Sequence, residues 1–101
     1  MDINSILKVI DNPIRLNILH WLKSPKQHFP VASQLVDADI EGVCVSIIQE
    51  KVGLSQSTVS LYLTALQREQ LVISTRIGPW TYYKRNEEKI AEFQKKLSEI
   101  L

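Results

Sequence analysis

The chain has a single cysteine, Cys44, so it can form no intramolecular disulfide and is no disulfide scaffold. Three glycines and four prolines are too few for a collagen-like or low-complexity sequence. No apolar run approaches membrane-spanning length, and the start of the chain lacks a signal-peptide layout. The cytoplasm is therefore the expected compartment, and a membrane is not an expected partner. The formal net charge is only +1, without the basic surplus that many nucleic-acid-binding domains carry. Residues 1–101 are read as one domain, with 45% hydrophobic and 23% charged residues. That balance supports a modest core and excludes a disordered chain.

The charge is unevenly distributed. Residues 1–54 carry five basic and six acidic side chains, and residues 86–101 carry three and four. Between them, Arg68, Arg76, Lys84 and Arg85 face only Glu69, a local net of +3. This segment also contains the most distinctive stretch, residues 52–66. Gly53 suits the left-handed residue that closes a helix, and Ser55 suits the N-cap of the next. Val59, Leu63 and Leu66 then recur at helical spacing. The other face presents Gln56, Ser57, Ser60, Leu61 and Thr64, with no charge from Gln56 to Gln67. A solvated helix normally shows Lys and Glu there. Short hydroxyls and amides instead suit a helix that lies deep in the DNA major groove, against base edges and phosphates. The pattern is that of a helix-turn-helix.

The flanking chain supplies the rest of a domain. Asp2 caps a short helix with Ile3, Ile6, Leu7 and Ile10 on one face. Asp11-Asn12-Pro13 starts a second helix running to about Lys23, with Leu16, Ile18, Leu19 and Leu22 inward and Arg15 and His20 outward or marginal. Residues 24–42 read as a long connection with a helical turn near Ser33–Val36. Residues 43–52 read as the first helix of the helix-turn-helix, with Val43 and Ile47 on a second apolar stripe. Residues 71–77 and 80–85 read as strands joined by Gly78-Pro79, a wing whose Arg76, Lys84 and Arg85 supply phosphate contacts. Asn86 caps a last amphipathic helix carrying Ile90, Phe93 and Leu97. The fold class is mostly α with a small β-hairpin wing, in the order α-α-α-α-β-β-α. Apolar faces on both terminal helices suggest a homodimer that pairs through Ile3, Ile6, Leu7, Ile10, Ile90, Phe93 and Leu97.

This layout resembles the ArsR/SmtB family of winged helix-turn-helix transcriptional regulators. The match is carried by residues 12–19 (Asn-Pro-Ile-Arg-Leu-Asn-Ile-Leu) and by residues 53–60 with Leu63 and Leu66. It extends through Gln70-Leu71-Val72, Arg76, Gly78 and Tyr82-Tyr83. The resemblance implies a dimeric repressor of double-stranded DNA, with terminal helices at the dimer interface, the recognition helix (about 55–69) in the major groove and the wing (71–85) on flanking DNA. The expected DNA-binding residues are Gln56, Ser57, Thr58, Ser60, Leu61, Thr64, Arg76 and Lys84. Two departures stand out. Leu61 and Tyr62 replace the two histidines often found there, so Leu61 offers an apolar contact, such as to a thymine methyl. Cys44 and Ser46 stand where the family's best-known metal site has two cysteines, and the last helix has no histidine.

No cofactor and no metal are expected, and no catalytic constellation is recognisable. Two alternatives stay open. One is an effector-responsive sensor, with a small-molecule or redox effector, built on Cys44 as a redox thiol or on a metal site of Cys44, His28, Asp37, Asp39 and Glu41. A buried structural cysteine is the blander account of Cys44. The other is a winged helix used only for protein contact, which would not need the local positive charge or the hydroxyl-rich helix face.

Overall fold

Most of the helices begin where the sequence provides a capping side chain. A computed structural model describes residues Asp2–Leu101. The Asp2 carboxylate accepts from the Asn4 amide at 3.0 Å and opens α1 (Ile3–Ile10). Asn12 accepts from the amides of Ile14 and Arg15, and Pro13 opens α2 (Pro13–Lys23) with its fixed φ. Asn86 caps α7 (Glu87–Ile100), whose first turn holds Glu87 and Glu88, as the helix dipole favours. Between α2 and α7 lie α5 (Val45–Val52), α6 (Gln56–Arg68) and an antiparallel sheet.

The segment 24–42 is more ordered than a connecting loop. It folds into α3 (Pro25–His28), a 3-10 turn over Val31–Ser33 and α4 (Ala38–Glu41). The helical turn expected near Ser33–Val36 therefore lies a little earlier. Phe29 and Ala38 are buried, so the segment is a second layer against the core. Side chains hold it there: Gln34 Nε2 donates to the Gly42 carbonyl at 2.8 Å, and Gln34 Oε1 accepts from the Cys44 amide at 3.2 Å. One glutamine thus closes a turn whose backbone groups would otherwise lack partners.

The sheet also exceeds expectation. Strands β2 (Val72–Ile77) and β3 (Trp80–Arg85) form the hairpin, with Ile77 opposite Trp80. A third strand, β1 (Val43–Cys44), pairs with β3 through Val43↔Tyr83 and Cys44↔Tyr82. Residues 43–44 are therefore strand, and the helix expected from Val43 starts at Val45. Val43 is fully buried, as the second apolar stripe required, but it is buried as part of the sheet. Leu71, expected at the head of a strand, precedes β2 as a buried core residue.

One core joins these elements. Ile6, Ile18, Val43, Ile48, Leu63, Leu71 and Phe93 meet in it. Each fully buried aliphatic side chain contributes about 1.5–3 kcal/mol of hydrophobic stabilisation. Leu16 is a correction: it is half exposed, and Ile14 packs against the core in its place on α2. Ile6 and Phe93 are likewise buried within the chain, whereas Leu7 stays accessible on α1. The dimer residues expected at Ile6 and Phe93 are thus committed to the chain's own core.

Gly42 makes the β1–β3 pairing possible. Its φ of +100° with ψ of −165° lies in a region that only glycine adopts readily. A Cβ at this position would meet the backbone carbonyl of Tyr83. Gly42→Ala should therefore destabilise the fold by more than the ~1–3 kcal/mol of backbone strain alone. Thermal unfolding followed by circular dichroism should show a Tm lower by at least about 5 °C; an unchanged Tm would refute this account of the turn.

Candidate nucleic-acid interface

Helices α5 and α6 are joined by a turn of three residues. Gly53 takes φ +77° and ψ +18°, and its amide donates to the Gln49 carbonyl at 2.9 Å, closing α5. Ser55 then caps α6: its Oγ accepts from the Thr58 amide at 3.3 Å and donates to Thr58 Oγ1 at 2.9 Å. The Ser57 hydroxyl lies 3.2 Å from Ser55 Oγ, so three hydroxyls gather at the start of the helix. Val59, Leu63 and Leu66 are fully buried and fix the rotation of α6.

That rotation sends the uncharged face outward. Gln56, Ser57 and Thr64 are exposed, and Ser60 is half-buried. Leu61 is 70% exposed. Thr58 differs from its neighbours, because its hydroxyl is engaged in the cap and it sits half-buried. Tyr62 is half-buried on the α2 side, where the Arg15 guanidinium lies 5.5 Å from its ring centroid. Arg15 Nε also donates to the Val9 carbonyl at 2.6 Å, so this cation seals the end of α1 and is not free for a phosphate.

The wing is fastened to α6 by a contact the sequence did not announce. Gln67 Nε2 donates to Ser74 Oγ at 2.9 Å. Alternation along the strands places Ser74, Arg76, Thr81 and Tyr83 on one face of the hairpin and Ile73, Ile77, Trp80, Tyr82 and Lys84 on the other. Arg76 is exposed at the hairpin end, on the face that also meets Gln67, and its Nε donates to the Gly78 carbonyl at 3.3 Å. Burial raises the pKa of the half-buried Tyr83 phenol, which stays neutral.

The two other basic wing residues lie elsewhere than expected. Lys84 occupies the opposite face, where its ammonium donates to the Ile40 carbonyl at 3.2 Å. Arg85 makes a two-pronged pair with Glu87 and donates to the Leu19 carbonyl at 3.2 Å, with only 12% of its side chain exposed. Of the four cations behind the local +3, only Arg68 and Arg76 lie beside α6, against Glu69. Arg85 follows from strand alternation only after its pairing with Glu87 at the start of α7 is known.

The residues weighed for a sensor do not converge. Asp37 and Asp39 are held by the Lys26 ammonium at 3.1 and 3.2 Å. The Asp39 amide and then Lys26 lower the pKa of the Asp37 carboxyl. Cys44 is buried, and its Sγ lies 3.3 Å from Ser46 Oγ. Among the described residues no three His, Cys, Asp or Glu side chains gather as metal ligands. Within those residues no helix is long and apolar enough to cross a membrane.

No family model matches the chain. Individual proteins do. The uncharacterized HTH-type transcriptional regulator YbzH of Bacillus subtilis is 47% identical over 93 residues, covering 89% of this chain and 92% of that protein. A protein of Halobacterium salinarum named "Putative arsenical resistance operon repressor ArsR2" is 37% identical over 58% of this chain and 49% of its own length. Among solved structures, the homodimeric winged helix-turn-helix DNA-binding domain of Mb0332 from Mycobacterium bovis, described as a possible ArsR-family regulator, superposes with a TM-score of 0.64. It is 25% identical, over 94% of this chain and 74% of that one. The chain thus belongs to the ArsR/SmtB family of winged helix-turn-helix transcriptional regulators.

Proposed function

We propose that the protein represses transcription as a homodimer on double-stranded DNA, with α6 in the major groove and the wing on flanking DNA. The observation that carries this reading is the outer face of α6. Gln56, Ser57, Ser60 and Thr64 form a polar surface without a single charge, with Leu61 exposed at its centre. A face exposed only to water has no need of that composition, whereas base edges offer donors, acceptors and methyl groups to match it. Ser57, Ser60, Leu61 and Thr64 read sequence, Gln56 reaches the backbone or a base edge, and Arg76 contacts phosphate. Thr58 acts through the cap, and Lys84 serves the α4 contact. The Mycobacterium bovis domain is described as homodimeric and DNA-binding, and the Halobacterium relative's name is that of an operon repressor; both support the corresponding parts of this reading.

A second copy would be met by the accessible apolar residues of the first two helices and the last. Leu7 and Leu16 are exposed, Ile3, Ile10, Ile90 and Leu97 are half-buried, and Ile100 and Leu101 project from the end of α7. The dimer face therefore keeps Ile3, Leu7, Ile10, Ile90 and Leu97 from the sequence reading and adds Leu16.

Selection of bound duplexes from a random library should yield one two-fold-related sequence class, with affinity falling steeply as salt rises. Arg76→Ala should weaken binding to all duplexes alike and reduce the salt slope by about one. Ser60→Ala should instead change the preferred bases while leaving the slope as it is. Loss of sequence preference in Arg76→Ala, or no preference in the native protein, would sink the assignment. For the dimer, sedimentation should show twice the 11.6 kDa chain mass. Leu7→Glu, at an accessible position, should give a folded monomer that binds DNA about tenfold more weakly or worse, equivalent to ~1.4 kcal/mol. A native monomer that binds DNA at full affinity would exclude the homodimer.

A further inference from the structure

A cavity of about 360 Å³ opens between the 3-10 turn, the first turn of α5 and strand β3. Its volume falls within the ~300–1,000 Å³ of small-molecule sites. Leu35, Ile47, Trp80 and Tyr82 form its apolar walls. Its polar groups come from the hydroxyls of Ser33, Ser46 and Tyr82, the Trp80 indole N–H, the Cys44 thiol and the Gln34 amide. No charged side chain lines it, whereas four other cavities among the described residues each include a lysine.

Two of the walls are left unusually open. Leu35 is 85% exposed and Trp80 46% exposed, and both line this cavity. The polar groups are not equally available. Gln34 is already bonded to Val36, Gly42 and Cys44, and the Cys44 thiol to Ser46. This leaves the Ser33 and Tyr82 hydroxyls and the Trp80 indole N–H to meet a ligand, with the Ser46 hydroxyl already beside the Cys44 thiol. A charged ligand would lose its hydration here with no countercharge to compensate. An apolar ligand would cover Leu35 and Trp80 at a gain of about 25 cal/mol per Å².

We propose that this cavity binds a small neutral, largely apolar molecule carrying one hydrogen-bonding group, and that its occupant sets the position of the wing. The connection is direct. Trp80 pairs with Ile77 at the hairpin end, and Thr81 pairs with Arg76. On the other side, Cys44 pairs with Tyr82 and leads straight into α5. A ligand touching both Trp80 and Leu35 therefore ties the hairpin end to the segment that precedes the helix-turn-helix. Ligand binding itself is independent of DNA; its effect on DNA affinity rests on the function proposed above. By linkage, the factor by which the ligand changes DNA affinity is the factor by which DNA changes ligand affinity.

The test is a nuclear magnetic resonance titration of the full chain with 4-propylphenol, using anionic 4-propylbenzoate as the charge control. Saturable amide shifts should centre on residues 33–35, 44–47 and 80–82, with 4-propylbenzoate at least about tenfold weaker. Ser46→Phe, which adds a ring at an exposed position beside the cavity, should abolish the response while the remaining spectrum stays folded. Absent shifts, shifts centred on Leu7 and Leu16, equal binding of the benzoate, or undiminished binding by Ser46→Phe would each overturn the site. Saturating 4-propylphenol should also change the DNA affinity of the native protein by at least threefold and leave that of Ser46→Phe unchanged. Intact ligand binding with unchanged DNA affinity would overturn the wing coupling. Failure to bind DNA without any phenol present would count against the DNA reading and leave the titration result intact.

Discussion

The short pairing of β1 with β3 holds the helix-turn-helix and the wing in one frame. Only Val43 and Cys44 take part, opposite Tyr83 and Tyr82. Because α5 starts at the next residue, this pairing sets where the helix-turn-helix begins relative to the hairpin. Gly42 allows the approach by having no side chain at the Tyr83 carbonyl, and Gln34 satisfies the backbone groups on either side. A two-residue strand is marginal alone. Here it is held by the buried Val43 and Tyr82 side chains, while the Gln67–Ser74 bond fastens the neighbouring β2 to α6.

Much of this was legible in the sequence. The caps at Asp2, Asn12, Ser55 and Asn86 are local chemistry, and each works as its residue type predicts. The inward triplet Val59, Leu63 and Leu66 was likewise fixed by periodicity. The misplacements share one cause, long-range contact. Val43 and Cys44 follow a glycine and are apolar or β-branched, a strand signal, but two residues are too few to outweigh the adjoining helical pattern. Leu16 lies on the helical stripe, yet the core closes over Ile14 instead. Ile6 and Phe93 belong to amphipathic faces, and sequence periodicity cannot distinguish burial within the chain from burial by a second copy.

The candidate interface shows the same division. Helical geometry places Ser57, Leu61 and Thr64 outward, and that much needs only the 3.6-residue period. The fate of each cation depends on partners far along the chain. Arg15 turns to the end of α1, Lys84 to Ile40 and Arg85 to Leu19 and Glu87, leaving Arg76 at the hairpin end. A count of basic residues therefore overstated the positive field beside α6. In the DNA-binding mode proposed above, a weaker field would place more of the recognition on hydroxyls, amides and the Leu61 side chain.

Arg85 joins three elements through one planar group. Its guanidinium meets the Leu19 carbonyl on α2 and the Glu87 carboxylate at the start of α7, while its backbone pairs with Val72 in the sheet. Lifting α7 from the body would leave this largely buried cation without its anion, a costly state. The Arg85–Glu87 pair thus couples the end of β3 to the first turn of α7. The amide hydrogens of these two segments are therefore expected to exchange as one cooperative unit. Through Arg85, the base of the wing and the start of the terminal helix share one contact.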